Sequence, residues 1–368
     1  MKEKTVHKIH PFFSKERYEM TLNWKLHESC WFLKYKEPEG KHLALFDLDG
    51  TLITTKSGKK WSSKPEDWKL LPQVESQLKL AVANGGLIGI ITNQLEWSGG
   101  TSKQLKEKIG NVIRRLDIPL YVFMAIKRDE YRKPCTGMYK LLLETAGTEF
   151  DLSKSFYVGD AAGRHGDHND TDLKWALNTK LKFYVPEDYF YGTESPPIGI
   201  SYRPSEMFVD TPNITCKSET ELVILVASPA GGKSFISTSI FKNYVRINMD
   251  TLGTKAKCIN ACKEALSNGK SCIIDNTNPK IEQRSEYLDL AREYAIPSRI
   301  IYLKFPKEWC LHLDMYRFLT TKKELLPKMA FNSFVSNLQV PTINECPVDV
   351  IEHIYCEHPD ELMSSHLI

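Results

Sequence analysis

Asp47 and Asp49 are the residues best placed to do chemistry, delivered by the run Leu43-Ala44-Leu45-Phe46-Asp47-Leu48-Asp49-Gly50-Thr51-Leu52. An apolar stretch of strand length ends in two carboxylates two residues apart, followed by a glycine turn. Side chains two apart in a strand share a face, and Gly50 breaks the strand's regularity. Carboxylates this close repel each other unless a cation sits between them or one holds a proton. Either arrangement serves phosphoryl chemistry: ionised Asp47 can attack phosphorus while protonated Asp49 gives the leaving oxygen its proton. A surface turn also uses Asp and Gly, but a buried strand seldom delivers two acids to no site.

A second stretch points to nucleotide phosphates. Glu221-Leu222-Val223-Ile224-Leu225-Val226 reads as a buried strand and runs into Ala227-Ser228-Pro229-Ala230-Gly231-Gly232-Lys233-Ser234. Consecutive amides around Gly231 and Gly232, at a helix start, cradle phosphates. Lys233 reaches the outer phosphates and Ser234 can bind Mg²⁺, so ATP and Mg²⁺ are the cofactors expected. Ala227 replaces the first glycine of the P-loop pattern, which the turn tolerates only at negative φ.

Both sites need strands to carry them. The chain has 368 residues, too many for one ordinary core, so two domains are expected. With 42% hydrophobic and 26% charged residues it reads as a soluble globular protein. No run of apolar residues is long enough for a membrane span, and Met1-Lys2-Glu3-Lys4 leads into no signal-peptide core. Nine scattered cysteines read as reduced, buried thiols. A net charge of +3 neither requires nor excludes a polyanionic partner, leaving the basic tracts 56–60 and 127–133 as candidates. Phe12, Phe13, Tyr18, Trp24, Trp31, Phe32 and Tyr35 predict a strand or two covering an edge of the first domain. A helix over 73–83, a buried strand over 87–91 and another over 120–125 predict a parallel doubly wound sheet. Sites in such sheets lie beyond the strands' carboxyl ends, which brings Thr92 beside Asp47. The prolines between 186 and 218 read as an ordered linker.

Phe46-Asp47-Leu48-Asp49-Gly50-Thr51 resembles the first motif of the haloacid-dehalogenase (HAD) superfamily of phosphatases. The extension Leu52-Ile53-Thr54-Thr55-Lys56-Ser57-Gly58-Lys59 is similar to the polynucleotide kinase 3′-phosphatase family within it. Tyr131-Arg132-Lys133-Pro134, Gly159-Asp160-Ala161-Ala162-Gly163-Arg164 and Asp275-Asn276-Thr277-Asn278-Pro279 resemble that family's later motifs. The resemblance implies that Thr92 and Asn93 hold phosphate oxygens, and that Arg132 and Lys133 face the substrate, Lys133 neutralising the transferred phosphate. It implies a Mg²⁺ site of Asp47, Asp160 and the Asp49 carbonyl, supported by Asp172 or, second, Asp167. For the second domain it implies Asp250 as base for a 5′-hydroxyl, Asn276, Thr277 and Asn278 orienting the acceptor, and Arg317 on donor phosphates. Met249 and Met315 replace arginines of the family pattern. The fork-head-associated domain of vertebrate members has no room in the first 40 residues.

The expected protein is therefore α/β, with two doubly wound parallel-sheet domains: an extension over 1–40, a HAD-type phosphatase over 41–190, a linker over 191–218 and a P-loop kinase over 219–368. The implied function is DNA end repair, removing 3′-phosphate and phosphorylating 5′-hydroxyl, in the nucleus or the mitochondrion. DNA ends and DNA-repair proteins are the implied partners of a monomer. An RNA-end-healing enzyme, or a phosphatase with a kinase half decayed into a binding module, are the alternatives.

Overall fold

A computed structural model describes residues 22–60, 62, 64–94, 102–194, 196–200, 202–217, 219–357 and 359–367. The expectations for Phe12, Phe13 and Tyr18 lie outside these residues.

The first elements are β1 (Lys25–His27), β2 (Cys30–Tyr35), β3 (His42–Phe46), the short hairpin β4 (Ile53–Thr54) and β5 (Lys69–Leu70), α1 (Val74–Ala83), β6 (Gly86–Asn93), α2 (Ser102–Leu116) and β7 (Leu120–Ala125). Leu43 to Phe46 and all six residues of β7 are buried, as strands covered on both faces must be. β3, β6 and β7 run parallel, with Phe46 opposite Ile90 and Thr92 opposite Met124. This register puts Asp47 and Thr92 at the same carboxyl edge. β2 lies antiparallel on β7 and β1 antiparallel on β2, so the aromatic segment around Trp31 and Phe32 extends the sheet on its β7 side. α1 starts one residue later than its periodicity suggests, because Gln73 takes a positive φ of 61°.

After β7 come α3 (Gly137–Ala146), β8 (Phe156–Val158), α4 (Thr171–Thr179) and β9 (Lys182–Tyr184). The strand order is β1-β2-β7-β6-β3-β8-β9. The proline-rich stretch is more structured than its composition suggests. Pro204 opens a 3₁₀ turn, and β10 (Phe208–Val209) follows it; Tyr202 and Met207 pack on Trp309.

The remaining elements are β11 (Leu222–Ala227), a helical turn α5 (Lys233–Phe235), β12 (Val245–Ile247), α6 (Met249–Leu252), α7 (Lys255–Ser267), β13 (Cys272–Ile274), α8 (Ile281–Glu293), β14 (Ser298–Leu303), α9 (Lys307–Thr321), α10 (Lys328–Asn337), β15 (Val348–Ile351), β16 (Ile354–Tyr355) and α11 (Glu361–Ser364). Five strands form a wholly parallel sheet, β12-β13-β11-β14-β15, and β10 pairs with β16. β11 alternates perfectly: Leu222, Ile224 and Val226 pack under α7 and α8, while Val223, Leu225 and Ala227 pack on Ile236 and Phe241. A sheet buried on both faces in this way is doubly wound. All nine cysteines are free and six are buried. No helix among the described residues is long and apolar enough to cross a membrane.

Candidate active sites

Asp47 follows the last residue of β3 and is buried. One carboxylate oxygen each from Asp47, Asp160 and Asp172 lie within 4.8 Å of one another. Asp172, the stronger of the two supporting-acid expectations, thus joins the cluster. Its carboxylate accepts from Ala161 N (3.0 Å), Tyr157 Oη (2.7 Å) and Lys133 Nζ (2.8 Å). Gly159 makes room for it, since a β-carbon there would stand 2.5 Å from Asp172 Cβ. Asp167 instead braces the loop, accepting from Ala162 N and from the backbone and guanidinium of Arg164. Burial alone would raise its pKa, but the Arg164 bonds outweigh it and hold the carboxyl below the usual range.

Lys133 is buried, and its ammonium touches Tyr157 Oη at 2.7 Å as well as Asp172. Thr92 is buried at the end of β6, its hydroxyl 2.8 Å from Gln94 Nε2, with Asn93 beside it half-buried. The Asp49 side chain is bonded to Lys108 and Gln94, two residues no motif singled out. Arg132 buries a guanidinium nitrogen, Nη1, that has no hydrogen-bond partner, and burial together with Arg128 pushes its pKa down. Lys328 on α10 is pushed down as well, first by Arg128, then by burial and by Arg132 and Lys307. Arg128, Arg132, Lys307 and Lys328 therefore feel one another's positive charge.

The oxygen-only acid cluster fits Mg²⁺. Three carboxylates at this spacing need more positive charge than the Lys133 ammonium supplies, and hard oxygen donors are what Mg²⁺ prefers.

The second site forms where β11 enters the phosphate loop. Ala227 belongs to the buried strand; the positive φ falls instead on Ala230 (53°) and Gly232 (82°). A left-handed alanine is uncommon and marks a loop held in shape by its surroundings. Gly231 allows the tight turn, since a β-carbon there would lie 2.9 Å from Ser228 O. Lys233 Nζ donates to Ser228 O at 2.9 Å, and burial pushes its pKa down while Asp275 opposes the shift.

Asp275, at the end of β13, is the acid of this site that no motif role anticipated. It is 1% exposed, its Oδ2 lies 3.3 Å from Ser234 Oγ, and its buried Oδ1 has no hydrogen-bond partner. A hydroxyl beside a buried, underused carboxylate oxygen fits Mg²⁺ with a nucleotide phosphate. Arg246 donates to both, from Nε to Asp275 Oδ2 (2.7 Å) and from Nη2 to Ser234 Oγ (3.1 Å). The signal for Asp275 was available, because it ends an apolar strand just as Asp47 does.

Asp250 is exposed in the first turn of α6, whose cap is Asn248 rather than Asp250. Asn276 Oδ1 accepts from Met249 N (2.9 Å) and so anchors that turn. Thr277 O accepts from Ala227 N, tying the loop to β11. Asn278 faces inward, its amide donating to Leu225 O (2.8 Å) and Asn276 O (3.2 Å). Arg317 donates to Asp314 and to Glu324 O, bracing the end of α9.

A carboxylate cluster and a phosphate loop, each at the carboxyl ends of parallel strands, define an α/β enzyme of phosphoryl transfer with two centres. Residues 42–190 match the family described as polynucleotide kinase 3 phosphatase, and residues 254–341 match an AAA domain family. The bifunctional polynucleotide phosphatase/kinase of Schizosaccharomyces pombe is 41% identical over 338 residues, covering 88% of this chain and 82% of its own. A sequence of Acanthamoeba polyphaga mimivirus given the same pair of activities is 32% identical over 359 residues, 82% of each chain. The solved D,D-heptose 1.7-bisphosphate phosphatase of B. bronchiseptica, complexed with magnesium and phosphate, aligns over 43% of this chain and 90% of its own at 19% identity and a TM-score of 0.33. The chain belongs to the family of bifunctional polynucleotide phosphatase/kinases.

Proposed function

We propose that this enzyme heals broken DNA ends, hydrolysing 3′-phosphate at the Asp47 site and phosphorylating 5′-hydroxyl from ATP at the Lys233 site. The observation that carries the reading is the acid cluster of Asp47, Asp160 and Asp172 in one chain with the Ser234–Asp275 phosphate-loop site. Residues 41–190 make up the phosphatase and 219–368 the kinase, and the product, a 3′-hydroxyl with a 5′-phosphate, is what a ligase consumes. That task places the enzyme in the nucleus among repair proteins.

In the phosphatase, an Asp47 oxygen attacks phosphorus and the bond to the 3′-oxygen breaks, leaving an aspartyl-phosphate. Asp49 gives its proton to the departing oxygen and takes one from the water that then releases phosphate. Lys133 offsets phosphate charge, and Thr92 and Asn93 hold phosphate oxygens. Asp47, Asp160 and the Asp49 carbonyl would hold Mg²⁺, with Asp172 supporting; when bound, it lowers the charge that Asp47 and phosphate must bring together. In the kinase, Asp250 takes the proton of the 5′-hydroxyl as the hydroxyl oxygen attacks the γ-phosphorus of ATP, and the bond from that phosphorus to the β–γ bridging oxygen breaks to release ADP. The amides around Gly231 and Gly232 and the Lys233 ammonium hold the donor phosphates, and Ser234 with Asp275 would hold Mg²⁺. The cations Arg128, Arg132 and Lys328 suit a polyanionic strand.

The test uses one oligonucleotide with a 3′-phosphate and a 5′-hydroxyl, in DNA and RNA versions, with Mg²⁺ and labelled ATP. Asp47→Asn should abolish phosphate release and keep 5′ labelling, while Lys233→Ala should do the reverse. Full phosphate release by Asp47→Asn would overturn the nucleophile assignment, and preference for the RNA version would overturn the choice of DNA.

A further inference from the structure

Both oxygens of the Asp49 carboxylate are held by side chains. Lys108 Nζ donates to Oδ1 at 2.6 Å and Gln94 Nε2 to Oδ2 at 2.6 Å. The same Gln94 amide reaches Thr92 Oγ1 at 2.8 Å, so one side chain registers Asp49 against a phosphate-binding residue.

Lys108 arrives from an unexpected quarter. It stands in the buried stripe of α2 with Ile109, Val112, Ile113 and Leu116, and is 7% exposed. A helix that only had to pack would carry an apolar residue there, because a buried ammonium is unfavourable without a partner. Asp49 is that partner. A lysine serving mainly to attract the polynucleotide would keep its charge in solvent, as the exposed Lys103 of the same helix does.

We propose that Lys108 and Gln94 are positioning residues of the phosphatase reaction, aiming the Asp49 carboxyl at the leaving oxygen. The inference rests on the roles given above to Asp47 and Asp49. The 3′-phosphate enters carrying one proton, which the Asp49 carboxylate takes up as substrate binds; as the bond between phosphorus and the 3′-oxygen breaks, that proton passes to the 3′-oxygen and Asp49 is again a carboxylate. Lys108 stabilises that carboxylate and Gln94 keeps its second oxygen in line. In the second step the same carboxylate accepts a proton from the attacking water, and the bond between Asp47 and phosphorus breaks to release phosphate.

A role exercised through proton delivery depends on how much the leaving group needs a proton. A 3′-alkoxide needs one; nitrophenolate leaves without it. The experiment compares Lys108→Met, Lys108→Arg and Gln94→Leu on two substrates. On a 3′-phosphate oligonucleotide, the saturating single-turnover rate of 3′-hydroxyl formation is read, with binding affinity measured separately. On p-nitrophenyl phosphate, kcat/KM is read, because it reports the step up to leaving-group departure. Lys108→Met should lose about 30-fold or more on the oligonucleotide, within the range of general acid catalysis, with affinity nearly unchanged and p-nitrophenyl phosphate cleavage down no more than about threefold. Lys108→Arg should recover part of the loss. Equal losses on both substrates, a loss confined to affinity, or no loss would overturn the proposal. If Lys108→Met fails to fold, Gln94→Leu must show the same split or the proposal fails. Asp47→Asn, run alongside, separates the two failures: if it stays active the phosphatase reading falls, whereas if it is dead and the Lys108 and Gln94 variants show no split only this inference falls.

Discussion

Lys133 Nζ lies 2.8 Å from Asp172 Oδ1, and the two side chains are only 2% and 3% exposed. Tyr157 Oη reaches the same oxygen. Ion pairs sealed this deeply contribute little net stability, but breaking one strands a buried charge at about 3–5 kcal/mol. Lys133→Met should therefore destabilise the protein by that amount. It should also lower 3′-phosphate release at least about 100-fold, the scale for removing one electrostatic stabiliser, while sparing 5′ phosphorylation. Adding Asp172→Asn should restore part of the stability, since the stranded charge goes with it; urea melts of the two single variants and the double variant measure the coupling. Strict additivity would mean that the pair is not what these residues do.

Asp275 sets the second centre. Its carboxylate faces Ser234 Oγ and Arg246, and it props up the Lys233 ammonium against burial. Asp275→Asn keeps the shape and removes the charge, so kinase turnover should fall about 10²–10³-fold with phosphatase activity intact. Arg246 is partly exposed, and Arg246→Ala should lose no more than about tenfold. Labelling of a 5′-hydroxyl oligonucleotide across a Mg²⁺ series reads both; a harmless Asp275→Asn would remove this acid from the site.

What could be read from sequence follows from how local each signal is. Asp47 and Asp49 were legible because an apolar strand, two acids and Gly50 lie within ten residues, and the glycine's φ of 87° is what the turn requires. Asp172 was legible only as a choice against Asp167, because both follow the same strand; the space at Gly159 admits Asp172, and Arg164 claims Asp167. Lys108 was not read, since one lysine among several on a helix shows its role only when the helix face is known. The string Asp275 to Pro279 implies an acceptor-orienting role for Asn276, Thr277 and Asn278, and the Asn278 side chain bonds Leu225 O, which holds that loop on the sheet. The linker reads as ordered, but its short elements around Pro204 have no local signal, since Tyr202 and Met207 pack on Trp309, a hundred residues on.

Arg284 makes the same point about packing. It is fully buried in α8 and donates two bonds to Glu345, at 2.7 and 2.8 Å, and one each to Asn278 O and Pro279 O. It thereby fixes the loop after β13 against the segment 339–345, where Gln339 N also bonds Pro279 O. Arg284→Met leaves the Glu345 carboxylate largely buried without its guanidinium and takes the Arg284 donor from Asn278 O, while Pro279 O keeps Gln339 N; the loss is about 3–5 kcal/mol. Thermal melts should show it, and among molecules still folded the kinase should suffer more than the phosphatase. Equal suffering would mean that the loop is not what Arg284 supports.

His312 gives the fold an acid-sensitive point. It is fully buried in α9, stacked on Trp309 at 5.4 Å, with Nε2–H donating to Met363 O at 2.7 Å and Nδ1 without a partner. Burial pushes its pKa down to about 4, with the Met363 carbonyl opposing the shift and His366 and Lys174 adding to it. In the unfolded chain the same imidazole titrates near its usual value of about 6.5. Above that pH neither state is protonated and His312 contributes no pH dependence. As pH falls below about 6.5 the unfolded chain gains a proton that the folded protein refuses, so stability is lost down to about pH 4. The loss attributable to His312 is about 2 kcal/mol at pH 5 and about 3 kcal/mol once pH 4 is passed. His312→Gln retains an N–H for Met363 O but cannot titrate, so its urea midpoint should fall by clearly less than the wild type's between pH 7.5 and pH 5. Identical falls in the two proteins would assign the acid sensitivity to other groups.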